Sequence, residues 1–417
     1  MVDAGDAHDA CAPTHVPTHA PALPTSTDLI HHSYQPPAGF HAPQPGVFKA
    51  STVIFSNTAA LHAREWKDKT GYTYGLHGTP STFTLEARIA TLEGGLQTLL
   101  VPSGLAAITL TDLALLRAGD EVLIPTNAYH PNKELARHEL AAWGITHRFY
   151  DPMDANALAG MLTPATRLVW LEAPGSVTME FPDLPNLLRA ARSTGACVAL
   201  DNTWGAGLAF DAFQIAADAT GAARGVDVSV HALTKYPSGG GDVLMGSVTT
   251  RDPALHLRLN ATHMRMGWGV AGNDVEAVLR ALPSLPLRYT AADQAGRTLA
   301  RWWAQRPEVT QVLHPALAGS PGHVHWQRLC TQAAGLFSVV FDARYSAIQV
   351  HAFVDALQLF KIGFSWAGPI SLVVPYDLKA MRAGAGATGT LVRFSLGLED
   401  VDDLIADCER ALGALTR

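Results

Sequence analysis

From residue 85 onward, short apolar runs alternate with longer stretches of helical spacing, and this alternation constrains the fold more than any other feature. Strands are expected at 98–101, 121–125, 145–150, 167–171 and 197–201, with helices at 85–92, 104–116, 133–143, 155–162 and 184–193. That spacing suits right-handed crossovers between parallel strands. The fold class expected is α/β: a large domain with a mostly parallel sheet and helices on both faces. In such sheets ligands lie beyond the carboxyl ends of the strands, so chemistry is sought there.

The stretch at 226–246, VDVSVHALTKYPSGGGDVLMG, reads as a buried strand, a lysine, a glycine-rich turn and a second strand. Burial lowers a lysine's pKa, and a neutral amine can form a Schiff base with a carbonyl. The alternative for Lys235 is an ordinary lysine at a surface turn.

Three other strand ends carry similar signals. PSGLAA (102–107) turns from a strand into a helix, whose first N–H groups make an anion site or merely an ordinary serine cap. TNAYHP (126–131) places Tyr129 where it either stacks on a planar ligand or is a half-buried loop residue. VALDNTW (198–204) closes an apolar strand with Asp201. Such a carboxylate needs a cationic partner, a protonated ring nitrogen or a structural arginine. A phosphate cradle, an aromatic platform, a buried carboxylate and an amine together make the set that pyridoxal phosphate (PLP) requires.

The length of 417 residues exceeds one core, so the chain divides. A loosely ordered tail is expected at 1–26, an extended arm reaching a neighbouring subunit at 27–83, the PLP-binding domain at 84–283, and a smaller α+β domain at 284–417. The break is placed at PSLPLRY (283–289), before a helix at 291–305. Strands at 309–313, 336–341 and 391–396 and helices at 348–357 and 401–412 follow. Tail histidines His8, His15 and His19 read as solvated rather than metal-binding. A formal net charge of −7 gives no footing for nucleic acid or an anionic membrane. Cys11, Cys197, Cys330 and Cys408 form no CxxC pair, which suits free thiols in the cytoplasm. There is no apolar leader, GxGxxG, Walker loop, GxSxG or HExxH.

The motifs YGLHGT (74–79), LEGG (92–95), PSGLAA, TNAY, LEAPGSVTME (171–180), DNTW, ALTKY, HPALAGSPGH (314–323), FSWAGPISL (364–372) and the segment 390–408 resemble the Cys/Met-metabolism PLP enzymes of aminotransferase fold type I, from about residue 27 to the C-terminus. The resemblance implies that Lys235 carries the cofactor and shuttles protons. It implies that Asp201 pairs with the ring nitrogen and that Tyr129, a second catalytic residue, stacks on the ring and assists at the substrate. Gly104, Leu105 and Thr234 would hold the phosphate, with Tyr74 reaching it from the neighbouring subunit. Arg393 would bind the substrate carboxylate, beside Ser365 and Trp366. Leu76 stands where the family commonly has a phosphate-binding arginine, Ala232 where a serine is frequent, and Phe364 where a tyrosine is frequent.

The activity implied is β-elimination from L-cystathionine, a step of methionine biosynthesis, because Ala173-Pro174-Gly175-Ser176 replaces the asparagine-containing segment of γ-type relatives. Those relatives and a broader cysteine-S-conjugate β-lyase are the enzymatic alternatives. A PLP-fold regulator is disfavoured, since Lys235 and Arg393 are present and no basic DNA-binding module is. A homo-oligomer is expected, at least a dimer and by resemblance a tetramer.

Overall fold

The computed structural model describes residues 26–32, 39, 42–67, 69, 71–217, 221–378 and 389–415. The tail expected at 1–26 lies outside these except for Ser26, which opens a short helix, Ser26–Ile30. Among the described residues the arm is otherwise largely irregular, with one further short helix at Thr58–His62.

The large sheet has seven strands: β1 (Gln97–Val101), β2 (Glu121–Pro125), β3 (Thr146–Tyr150), β4 (Thr166–Glu172), β5 (Cys197–Asp201), β6 (Val228–His231) and β7 (Gly246–Thr250), in the order β1-β7-β6-β5-β4-β2-β3. β7 runs antiparallel to both neighbours, and the other pairings are parallel. The glycine-rich turn is longer than expected, because the strand after it begins at Gly246 instead of ending there.

Side chains alternate across this sheet with a period of two. Val169, Leu171, Val198 and Leu200 pack with Leu85, Ile89 and Leu92 of helix α1 (Pro80–Glu93). Leu168, Trp170 and Ala199 pack on the other face with Ala107 and Ile108 of α2 (Gly104–Leu115) and with Leu135 of α3 (His130–Leu135). Both faces are therefore covered, as a parallel sheet requires. A π turn, Ala136–Leu140, continues α3, so this helix starts earlier than its pattern suggested. The helix Pro253–Met266 had no counterpart in the sequence reading; six of its 14 residues are polar or charged, which hides its apolar stripe.

The segment 283–289 is helical. A 3₁₀ turn, Leu282–Ser284, runs into α4 (Leu285–Trp303), with Pro286 in the first turn, where a missing N–H costs nothing. The second sheet has the order β8-β9-β12-β11-β10, with β8 Val309–Leu313, β9 Leu336–Phe341, β10 Lys361–Ile362, β11 Leu372–Asp377 and β12 Thr390–Ser395. One face packs with Leu299 and Trp303 of α4 and with Phe353, while Leu336, Val340 and Leu391 join the core of the large domain.

Candidate active site

The carboxyl ends of β1, β2, β4, β5 and β6 open into one cavity of about 760 Å³. Its lining includes Ser103, Gly104, Leu105, Tyr129, Glu172, Asp201, Thr203, Thr234 and Lys235, with Phe364, Ser365, Trp366, Tyr376 and Arg393 from the second sheet and its loops. Every expected site residue except Tyr74 meets there.

At the end of β1, Ser103 caps α2 by accepting the N–H of Ala106 at 3.0 Å. The amides of Gly104 and Leu105 stand in the first turn, where helix geometry provides no carbonyl for them. Small residues are obligatory around them. A Cβ on Gly104 would sit 2.6 Å from the Ala232 Cβ, and one on Gly246 would sit 2.3 Å from the Ser103 carbonyl oxygen. This is the shape of a phosphate cradle. Thr234 borders it, its hydroxyl accepting the Met245 N–H at 3.1 Å. Ala232, in place of serine, donates its N–H to Thr203 Oγ1 at 2.9 Å.

Asp201 ends β5 beside Glu172, which ends β4, the two being paired in register. Burial pushes the Asp201 carboxyl up, and hydrogen bonds from Thr203, followed by the electrostatic pull of His231 and Lys235, oppose that push. The Thr203 N–H donates to Asp201 Oδ1 at 3.0 Å. Glu172 is held well above the carboxylate range, first by burial and then by the Asp201 charge. Of the two acids, Asp201 is the better placed to stay ionised. Glu172 Oε2 accepts the Tyr129 N–H at 2.7 Å and so fixes the loop that presents the Tyr129 ring. Burial, Asp201 and Glu172 all raise the Tyr129 phenol.

Lys235 crosses between the two sheets, with Nζ donating to Ser365 Oγ at 2.6 Å and lying 5.4 Å from the centre of the Trp366 ring. Burial lowers its pKa to about 8; the nearby Arg393 adds to this and Asp201 opposes it. Arg393, on β12, is buried, and its Nη2 donates to the Ser365 carbonyl at 3.2 Å. Its Nε is enclosed without a hydrogen-bond acceptor among the described residues, so a donor remains for a carboxylate. Tyr376 flanks the guanidinium at 5.6 Å from ring centre to Cζ.

Tyr74 is 46% exposed on the arm and does not line the cavity of its own chain. Leu76 packs near Gly269, and Phe364 is 78% exposed at the cavity mouth.

The residues present fit PLP. The cradle admits a phosphate where side chains could not go, a carboxylate stands at a strand end, and a half-buried amine is poised near neutrality. Glu172, Thr203 and Tyr376 escaped the sequence reading. Glu172 had a usable signal, since it closes the apolar run VWLE as Asp201 closes VALD.

Comparison with known proteins agrees with this geometry. The model of the family described as Cys/Met metabolism PLP-dependent enzyme matches residues 26–413. The chain is 38% identical over 371 residues to the cystathionine β-lyase of Bordetella avium, covering 87% of this chain and 90% of that one. It is 35% identical over 370 residues to the cystathionine β-lyase of Escherichia coli K12, covering 87% and 91%. The crystal structure of cystathionine γ-synthase from Xanthomonas oryzae pv. oryzae in complex with cystathionine superposes with a TM-score of 0.84 at 26% identity, covering 94% of this chain and 98% of that one.

Proposed function

The chain belongs to the family of Cys/Met metabolism PLP-dependent enzymes, and on that premise we propose that it is a carbon–sulfur β-lyase converting L-cystathionine and water to L-homocysteine, pyruvate and ammonia. The observation that carries the β reading is the match to relatives named cystathionine β-lyase at 35–38% identity over 87% of the chain.

When bound, PLP supplies an electron-withdrawing ring that weakens the substrate's α C–H bond. The amides of Gly104 and Leu105 and the Thr234 hydroxyl would hold its phosphate. Tyr129 would stack on its ring, and Asp201 would favour a proton on the ring nitrogen. Arg393 binds the substrate's α-carboxylate, and Ser365 and Trp366 wall the space beside it. This anchoring turns the α-hydrogen toward Lys235 Nζ. An amine with a pKa near 8 changes protonation close to neutral pH, so Nζ takes the α-proton and passes it on as homocysteine leaves Cβ.

The assembly we propose is a homodimer at minimum, with a tetramer formed from two dimers, in the cytoplasm. The support is Tyr74, half-exposed on an arm outside its own cavity. Mixed dimers of Tyr74→Ala and Lys235→Ala subunits should recover activity through one intact composite site; verified mixed dimers without recovery would count against sharing. Among the described residues, no helix is long and apolar enough to cross a membrane.

A γ-type reaction is the second reading, favoured by the likeness to cystathionine γ-synthase. Product analysis after incubation with L-cystathionine separates the two. Pyruvate with homocysteine supports β-elimination, and 2-oxobutyrate with cysteine as main products would replace it with γ-elimination.

A further inference from the structure

Two adjacent strands of the second sheet bring an arginine and a tyrosine to the cavity together. Arg393 on β12 pairs in register with Val374 of β11, and Tyr376 lies two residues further along β11, on the same face. The Tyr376 ring centre is 5.6 Å from the Arg393 Cζ, within the range of a cation–π contact, and both residues line the cavity. On the other side of Arg393 its register partner on β9 is Ser338, whose hydroxyl is already given to the Val177 carbonyl at 2.6 Å. Tyr376 is half-buried, yet its hydroxyl has no hydrogen-bond partner among the described residues. A tyrosine in such a place normally finds one. A phenylalanine would face the guanidinium equally well, without the desolvation cost of a phenol. The hydroxyl therefore calls for a ligand in the cavity.

We propose that the Tyr376 hydroxyl is a second donor to the substrate's α-carboxylate, completing the site that Arg393 begins. A carboxylate has about four lone-pair sites, more than one guanidinium can fill, and Arg393 Nη2 already donates to the Ser365 carbonyl. A donor from the neighbouring strand takes a lone pair that the arginine leaves open. Two donors from two strands also fix the rotation of the carboxylate, which keeps the α-hydrogen facing Lys235. Burial raises the Tyr376 phenol, with Arg393 opposing it, so the hydroxyl keeps its proton through neutral pH and is a donor there. The inference rests on the proposed role of Arg393 at the α-carboxylate.

The test titrates the holoenzyme with L-alanine and with L-alaninamide, which lacks the carboxylate, and follows the cofactor's visible absorbance. Neither ligand has a leaving group, so the outcome does not depend on whether the enzyme performs β- or γ-elimination. The readout is the ratio of the two dissociation constants, amide over acid, each variant being compared with wild type. That comparison cancels the different basicity of the two amines, and a merely structural defect weakens both ligands alike. Tyr376→Phe keeps the ring and removes the hydroxyl. It should lower the ratio about tenfold or more, as expected for one hydrogen bond to a charged group. Arg393→Ala is the control and should lower it further. If Arg393→Ala collapses the ratio while Tyr376→Phe retains the wild-type value, the inference is overturned and the Arg393 assignment survives. If Arg393→Ala also retains the wild-type ratio, the assignment itself fails and takes the inference with it.

Discussion

Asp201 and Ser365 line the same cavity, but they are held there by different means. Asp201 ends a parallel strand flanked by two others, with its carboxyl braced by Thr203. Ser365 lies on a loop before β11 at φ +83°, with Ala367 at +67° two residues on, and Phe364 beside it faces solvent. The first wall is fixed by sheet register, which leaves each strand-end side chain little choice of position. The second is fixed by a strained loop, and two non-glycine residues at positive φ each cost on the order of 1–3 kcal/mol. On the proposed reading, the first wall faces the cofactor and the second faces the substrate. Lys235 Nζ joins the two through Ser365 Oγ.

The largest expected effect lies at that junction. Lys235→Ala should lower kcat by about 10⁴-fold or more, because it removes both the proposed anchor of the cofactor and the proposed proton carrier. Activity within tenfold of wild type would show that another group moves the α-proton. On the substrate wall, Arg393→Ala should reduce kcat/KM by about 10²- to 10³-fold, with KM raised and kcat lowered together, since a carboxylate left without its buried partner misorients the reacting bond. An effect confined to KM would reduce Arg393 to uniform binding.

Smaller changes sharpen the contrast. Ser365→Ala removes the hydroxyl that receives Lys235 Nζ and should slow turnover by about tenfold. Ser365→Gly loses the same hydroxyl but suits φ +83°, so it should unfold at higher denaturant, by about 1 kcal/mol relative to Ser365→Ala. Equal stabilities would remove the claim of strain on the second wall.

Stability against pH tests the fixed wall without catalysis. Lys235 is lowered from 10.5 to about 8 in the folded chain, chiefly by burial. Between those values the unfolded chain binds the additional proton, so the stability of the cofactor-free protein rises with pH across that window. Below about pH 8 both states are protonated and the full burial penalty applies. Lys235→Met should therefore stabilise the cofactor-free chain most below pH 8, by about 1–3 kcal/mol, with the advantage shrinking toward pH 10.5. A constant difference across this range would show that Lys235 titrates as a solvated amine.

The same contrast explains what the sequence revealed. The first wall follows a rule legible in the letters: an apolar run ends, and the next residue enters the cavity. PSG, TNAY, DNTW and ALTK were all found by it, and Glu172 obeys it too but went unread. The second wall follows no such rule. Ser365, Trp366 and Arg393 came only through family resemblance, and β11 went undetected because Pro375 interrupts a short run near the edge of its sheet. The helical start at Leu285 was hidden by prolines that read as breakers but occupy first-turn positions. The contacts of the buried Glu93 with Asn202, Ser229 and His231 join residues more than a hundred positions apart, beyond the reach of any local pattern.

The central claim is that this cavity holds PLP on Lys235. Borohydride reduction of the cofactor-loaded protein, followed by peptide mass analysis, tests it directly, because Lys133 lines the same cavity and offers a competing amine. The phosphopyridoxyl group should be found on the peptide containing Lys235, in near-stoichiometric amount and absent from Lys235→Ala. Its recovery on Lys133 or another lysine at wild-type level would contradict the account.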